Sequence, residues 1–396
     1  MFRRHNGDDP SGNPLVVLEL DGSVVSYAYD AANQLINEQR TDASVPANSY
    51  NVTYGYDLAG NRVLMNDGGA LTTYLYDAAN ALTGVQSGGS SYAADVDGSG
   101  NIVGDWVPQP MPPAPYDSGE AYDASDAYDG TWSWGAAPVA ASSAWDDDGR
   151  LASATVNGQV ETYLYSADGM RQGKVTTSGT VLYVRDGQNV LMETDGSGNV
   201  QAYYTHAPGE WGGLVAQWQA AGQSLFYGFD PRGNARILTD GSENIVGQMV
   251  YRAFGEQAGS GASTPYGYGG QRGYYQDDTG RIYVRARHLD VSKGRWVSRD
   301  PIGFLGGGTN YYRYSGNRPT AAVDPSGLAW RMLLGGTGNL WRIVQNEPTG
   351  TICFEQRLLA DQPPITRRHR LRQRGPVRHR AGFRVRAARL RCGCGQ

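Results

Sequence analysis

The chain has 396 residues, 55 of them glycine, with 26 tyrosines against 7 phenylalanines and only 18% charged residues. A surplus of tyrosine suits pleated surfaces that are wet on one side, and dense glycine suits frequent turns. Helical bundles are excluded because no dozen-residue window keeps a 3.6 period free of Gly or Pro. A disulfide-stapled fold is excluded too, since the three cysteines, Cys353, Cys392 and Cys394, all sit near the C-terminal end. The net charge of −5 divides unevenly: fourteen arginines and three acids give +11 beyond Leu328, leaving −16 on residues 1–328.

In chain order, residues 1–14 form a ragged polar entry. The only apolar run after Met1-Phe2-Arg3-Arg4 is Leu15 to Leu18, too short for a signal peptide, and no stretch is long enough to span a membrane as a helix. The expectation is export by a route without a visible signal, or a Met1 that is an arbitrary start inside a longer gene. From Leu15 a repeat begins, Tyr29-Asp30-Ala31-Ala32-Asn33, Tyr56-Asp57-Leu58-Ala59-Gly60 and Tyr76-Asp77-Ala78-Ala79-Asn80, with starts 27 and 20 residues apart. Each unit reads as a strand, an Asp/Gly/Asn turn and a return strand. One such hairpin cannot bury its apolar face, but a stack of them can.

Residues 91–144 are read as an interruption. Within them Asp95-Val96-Asp97-Gly98-Ser99-Gly100-Asn101 matches the first half of a calcium loop, but Trp106 stands where a bidentate acid belongs. The same Asp-Gly-Ser-Gly-Asn recurs at 195–199 in a repeat turn, so a plain turn is the competing reading. Val107 to Pro138, rich in Pro, Ala, Asp and Tyr, reads as a surface insertion. The rhythm resumes at Trp145-Asp146, Tyr165-Ser166 and Phe229-Asp230. His206, with no ligand partner at useful spacing, is a strand-edge histidine.

Residues 287–329 differ from all of this. Asp300-Pro301-Ile302-Gly303 and Asp324-Pro325-Ser326-Gly327 lie 24 positions apart around Gly306-Gly307-Gly308 and Tyr311, Tyr312 and Tyr314. Each Asp-Pro-x-Gly is first a turn. Two copies brought together offer a second reading, a carboxyl pair of split pKa able to activate water against a peptide bond.

The stretch Gly294-Arg295-Trp296-Val297-Ser298-Arg299-Asp300-Pro301, with Asn310-Tyr311-Tyr312-Arg313-Tyr314, Asn317-Arg318-Pro319 and Asp324-Pro325-Ser326-Gly327-Leu328, resembles the core-associated segment of Rhs, or YD-repeat, proteins. That resemblance implies an all-β fold: a spiralling antiparallel shell of YD-repeat hairpins, teneurin-like, over 15–250, a core plug over 251–328, and a short irregular tail over 329–396. It implies encapsulation and delivery of a C-terminal toxin in interbacterial competition, with aspartyl-type self-cleavage. Carried over by residue, Asp300 and Asp324 are the catalytic pair, Arg295 a supporting group, and Leu328–Ala329 the bond cut. His288 departs from an aromatic pair usual in the family and reads as a substituted aromatic, not a base. No cofactor or metal is implied.

From Ala329 the sequence shows no strand or helix pattern, only a small apolar patch that Trp330, Met332-Leu333-Leu334, Trp341 and Ile343-Val344 could make. Arg367 to Arg391 holds eleven arginines and no acid. It reads as disordered, either the phosphate-contacting arm of a nucleic-acid-directed toxin or the end of a shifted reading frame. The expected partners are the chain's own C-terminal segment as cargo, a secretion apparatus, an immunity protein and a carbohydrate or target-cell surface; the expected location is secreted or cell-surface. Two rival readings are an adhesive YD-repeat wall and a truncated remnant.

Overall fold

The computed structural model describes residues 4–5, 7–19, 21–107, 139–208, 212–258 and 264–333, together with the backbone of 339–346 and 351–358. The chain divides into two compact units, Met1–Gly335 and Gly336–Gln396. The first is all-β, its strands antiparallel and its larger sheets open meanders in which each strand pairs with the next in sequence. Among the described residues one sheet runs through nine strands, from Arg4–His5 to Ser90–Ala93, and a second through thirteen, from Asp95–Val96 to Ile245–Gln248. No helix of the described residues is long and apolar enough to cross a membrane.

The Tyr-Asp pairs explain how neighbouring hairpins lock together. Asp57 Oδ1 accepts the backbone N–H groups of Ala59 and Asn61 at 2.9 and 2.8 Å, and its Oδ2 accepts the Asn61 side chain at 2.9 Å. The aspartate therefore closes its own turn, with Gly60 at φ 77° completing it. The preceding tyrosine reaches the other way: Tyr56 donates to the Leu35 carbonyl at 2.8 Å, Tyr76 to Arg62 at 2.8 Å and Tyr165 to Leu151 at 2.9 Å. Each acceptor is the first residue after the previous turn, so each hydroxyl staples one repeat to the one before it. The strand registers slip at these tyrosines, between Gly55 and Tyr56 and between Leu75 and Tyr76, which lets the ring lean off the ladder. This bond needs a hydroxyl, which tyrosine supplies and phenylalanine lacks.

The structure corrects three expectations. Residues 7–14 are not ragged: Asp9 Oδ1 accepts from Ser11 and Asn13 in the same turn, which lacks only the tyrosine. The interruption at 91–144 is narrower than predicted, because Ser90–Ala93, Asp95–Val96, Ile102–Val107 and Val139–Trp145 are strands, and Ile102–Val107 pairs directly with Val139–Trp145. The intervening 108–138 lie outside the described residues. In the second unit Asn339–Asn346 pairs antiparallel with Thr351–Leu358, a hairpin where no strand was expected. Its segments combine Trp341, Ile343 and Val344 with Ile352 and Phe354, β-branched and aromatic residues that favour extended backbone. The arginine run and Cys392-Gly393-Cys394 fall outside the described residues.

Residues 251–328, the plug of the sequence-based expectation, pack against both sheets through their described part. Their four short strands, Tyr275–Gln276, Ile282–Val284, Arg287–Asp290 and Arg295–Trp296, form a small sheet. One core cluster joins Val52, Tyr54 and Leu82 of the first sheet with Leu238 of the second and Phe254 and Trp296 of the plug. Charge bridges the same seams: Lys293 Nζ lies 2.9 Å from Asp105 and 2.6 Å from Asp290, all three buried. Arg236 near the end of the array meets Glu19 near its start at 2.6 Å.

Candidate functional site

Both Asp-Pro-x-Gly units are turns. Asp300 Oδ1 accepts the Ile302 N–H at 3.0 Å, and Asp324 Oδ1 accepts the Leu328 N–H at 3.1 Å. Gly303 and Gly327 take φ of 57° and 69°, left-handed values that suit glycine. The second oxygens of the two aspartates converge on one partner. Arg287 Nη2 lies 2.9 Å from Asp300 Oδ2 and 3.2 Å from Asp324 Oδ2, so one buried guanidinium nitrogen bridges both carboxylates.

The surroundings fix this arrangement. Arg287 also donates through Nη1 to the Tyr311 carbonyl at 3.1 Å and through Nε to the Gly327 carbonyl, and its guanidinium lies 4.3 Å from the centre of the Trp296 ring. Tyr274 holds the backbone of Asp324 from both sides, donating to its carbonyl at 2.8 Å and accepting its N–H at 3.0 Å. Burial pushes the Asp300 carboxyl above the usual carboxylate range, with the Asp324 charge adding to the rise and Arg287 opposing it. Burial likewise raises Asp324 against the pull of Arg287 and Ser326. Burial thus favours the neutral form of each carboxyl, and the Arg287 guanidinium favours the ionised form.

The Leu328–Ala329 peptide lies alongside. It sits in the loop between Ala322–Val323 and Arg331–Met332, which pair antiparallel. Its N–H donates to Ser326 Oγ at 3.3 Å. A side-chain carbon at Gly306 would collide with Asp300 Oδ2 and come within 2.8 Å of the Leu328 carbonyl oxygen, so this glycine leaves the carboxyl and the carbonyl on either side of one small gap. A cavity of about 10 Å³ opens there, lined by Arg287, Asp300, Gly306, Asn310, Asp324 and Trp330 among others. That volume is on the order of one water molecule.

Arg295, the arginine singled out from the sequence, donates to the Asn80 carbonyl at 2.6 Å and stacks between Tyr76 and Tyr312. The guanidinium at the carboxylates is that of Arg287, eight residues earlier and on the neighbouring strand; Ser326 and Gly306 were likewise not singled out. Arg287 shares its strand with His288, Leu289 and Asp290, so no apolar pattern marks it out in the sequence. His288 stacks with Tyr163 and Tyr283 and lies 3.8 Å from Asp277, and burial pushes its pKa well down, so it stays neutral. His206 faces two backbone carbonyls, those of Gly212 and Val190. Asp97 has both oxygens engaged within its own turn, by Ser99 and Asn101, as Asp57, Asp195 and Asp240 do in theirs.

No protein-family model matches the chain. It is 28% identical over 312 residues to the tRNA3(Ser)-specific nuclease WapA of Bacillus spizizenii, covering 76% of this chain and 12% of that protein. It is 29% identical to the toxin subunit YenC1 of Yersinia entomophaga over 47% of this chain and 22% of that one, and 38% identical to the toxin protein Tse5 of Pseudomonas aeruginosa over 26% and 8%. The chain thus spans about an eighth of the length of the first of these relatives. Among solved structures, the crystal structure of TcdB2-TccC3 aligns over 83% of this chain and 20% of its own, at 18% identity and a TM-score of 0.39.

Proposed function

The chain is an Rhs-type YD-repeat protein, and from that premise we propose that it is part of a toxin-delivery protein which cuts its own backbone between Leu328 and Ala329. The observation that carries the reading is the Asp300–Arg287–Asp324 bridge beside that peptide. Asp300, across the gap at Gly306 from the Leu328 carbonyl, is the protonated member and donates to that oxygen. The ionised member takes a proton from water as the water oxygen bonds to the Leu328 carbon. The carbon–nitrogen bond then breaks as the proton taken from water passes to the Ala329 nitrogen, Asp300 recovers its proton from the Leu328 oxygen, and the new carboxyl ionises, leaving a carboxylate at Leu328 and an amine at Ala329. Arg287 keeps both carboxylates in place and limits their mutual repulsion.

The delivered segment is the chain beyond Ala329, with a secretion apparatus and an immunity protein as the implied partners and a secreted or cell-surface location. The charge division, −16 before and +11 after the cut, supports retention of the severed segment by electrostatic attraction. Intact-mass analysis of the purified chain tests the reading. The expected result is a fragment ending at Leu328 that is absent in Asp300→Asn and in Asp324→Asn; a wild-type chain that stays whole overturns it. Since both carboxyls are held above their usual range, the alkaline limb of the cutting rate should lie above ordinary carboxylate pKa values, and rates followed across pH check this.

A further inference from the structure

The gap beside Leu328 is not assembled by the plug alone. Asn310, one of its lining residues, reaches out of the plug to a repeat turn almost 250 positions earlier: its Nδ2 donates to Asn61 Oδ1 at 2.7 Å and to the Ala59 carbonyl at 3.2 Å. Its Oδ1 accepts the Tyr312 N–H at 3.1 Å, and its carbonyl accepts from Arg313. Between those two contacts lies Tyr311, whose carbonyl accepts both the Asp300 N–H and Arg287 Nη1, each at 3.1 Å. The backbone that orients one carboxylate and the bridging arginine is therefore clamped to the 57–61 turn. Two more contacts secure the clamp. Asn317 Nδ2 donates to the Gly60 carbonyl at 2.7 Å, and a side chain at Gly60 would press against Arg313 at 2.9 Å.

We infer that Asn61 is a positioning residue for the self-cleavage proposed above, so that cutting proceeds only once the plug has docked on the first sheet. The inference rests on that reading for the reaction, and on geometry alone for the clamp. The turn has the conformation to do this by itself, since Asp57 closes it without help from the plug. What Asn61 adds is an acceptor at the one place where Asn310 needs it. An undocked plug keeps Asp300, Asp324 and Arg287 in its own sequence but loses the anchor on the Tyr311 carbonyl. Premature cutting, before residues 251–328 have docked on the first sheet, is thereby suppressed.

The test uses the full chain and follows the appearance of the Leu328 fragment with time during refolding. Asn61→Ala and Asn310→Ala should each slow cutting by roughly tenfold to a hundredfold, the cost of a small displacement of reacting groups. The double variant should be no slower than Asn310→Ala alone, because that variant has already lost the bond to Asn61. Asn199→Ala, in a turn of the same chemistry away from the plug, should cut at the wild-type rate. Equal slowing by Asn61→Ala and Asn199→Ala, or additive slowing in the double variant, overturns the inference. In the uncut Asp300→Asn chain, Asn61→Ala should speed amide hydrogen exchange at Tyr312 and Arg313 while Asn199→Ala leaves it unchanged. Unchanged exchange in both overturns the clamp itself, whether or not the wild type is found to cut, whereas a whole wild-type chain with selective exchange overturns the reaction alone.

Discussion

The turns at 57–61 and 195–199 are made of the same atoms at the same distances, yet one is part of a sealed seam and the other stands in water. Asp195 accepts from Ser197 and Asn199 at 2.9 and 2.8 Å and from the Asn199 side chain at 2.8 Å, matching Asp57 within 0.1 Å at every bond. Asn199 is exposed, whereas Asn61 is buried beneath Asn310 and bonded at 2.8 Å to Asn80 of the next turn. Local sequence thus decides that a turn forms. What packs over the turn decides whether it matters to the rest of the molecule.

The largest effect that separates the docked from the solvated side is in charge. Lys293 is fully buried between Asp105 and Asp290, so Lys293→Met strands two carboxylates and should cost about 3–5 kcal/mol. Arg150, paired with Asp146 where both side chains are more than a quarter exposed, should cost less than about 1 kcal/mol as Arg150→Met. Urea unfolding of the two variants measures the gap, and equal losses would break the contrast.

The parts of the molecule that were legible in the sequence follow the same division. The Tyr-Asp hairpins and the two Asp-Pro turns are local, set by residues within five positions of one another, and could be read from spacing. The choice between Arg287 and Arg295 could not, because both are arginines on short adjacent strands. Only the pairing of Asp290 with Arg295, which fixes how those strands lie, sends one guanidinium to the carboxylates and the other to Tyr76 and Tyr312. The Asp9 turn was missed for the opposite reason, since its Asp-x-x-Gly-Asn spacing was present without the tyrosine that drew the eye to the others. Asn61 reads as one more turn asparagine until the plug is seen to lie on it.

Acid should sharpen the comparison next. Burial alone would raise Asp290, but the Lys293 ammonium and the Ser292 hydroxyl bring it down to about 2. A carboxyl depressed on folding contributes stability that is present above the unfolded pKa near 4 and is lost as pH falls through about 2. That contribution is about 2 kcal/mol at neutral pH, so Asp290→Asn should flatten the acid limb of a stability–pH curve between pH 4 and 2. Asp277 has the reverse sign: burial holds it up to about 6 despite Arg171, so its share is present below pH 4 and lost as pH rises through 6. A curve for Asp277→Asn that parallels the wild type across that range would remove this assignment.

The smallest effect bears most directly on the two turns. Asp57→Ala and Asp195→Ala delete identical hydrogen bonds, so any difference between them comes from what lies above. At 195 the freed N–H groups and the Asn199 amide turn to water, and the loss should be about 0.5–1 kcal/mol. At 57 the Asn61 side chain keeps only its bond to Asn80 and the acceptor it offers to Asn310, and a buried N–H is left without its partner. Such a group bears its full desolvation cost, which puts the loss at about 1–3 kcal/mol. The surplus should vanish when the plug contact is already gone: in an Asn310→Ala background Asp57→Ala should cost nearer to what Asp195→Ala costs, because water can then reach the turn. Equal costs for the two aspartates in the wild-type background would mean that the plug adds nothing to the turn it covers, and docking would then be the work of the apolar core alone.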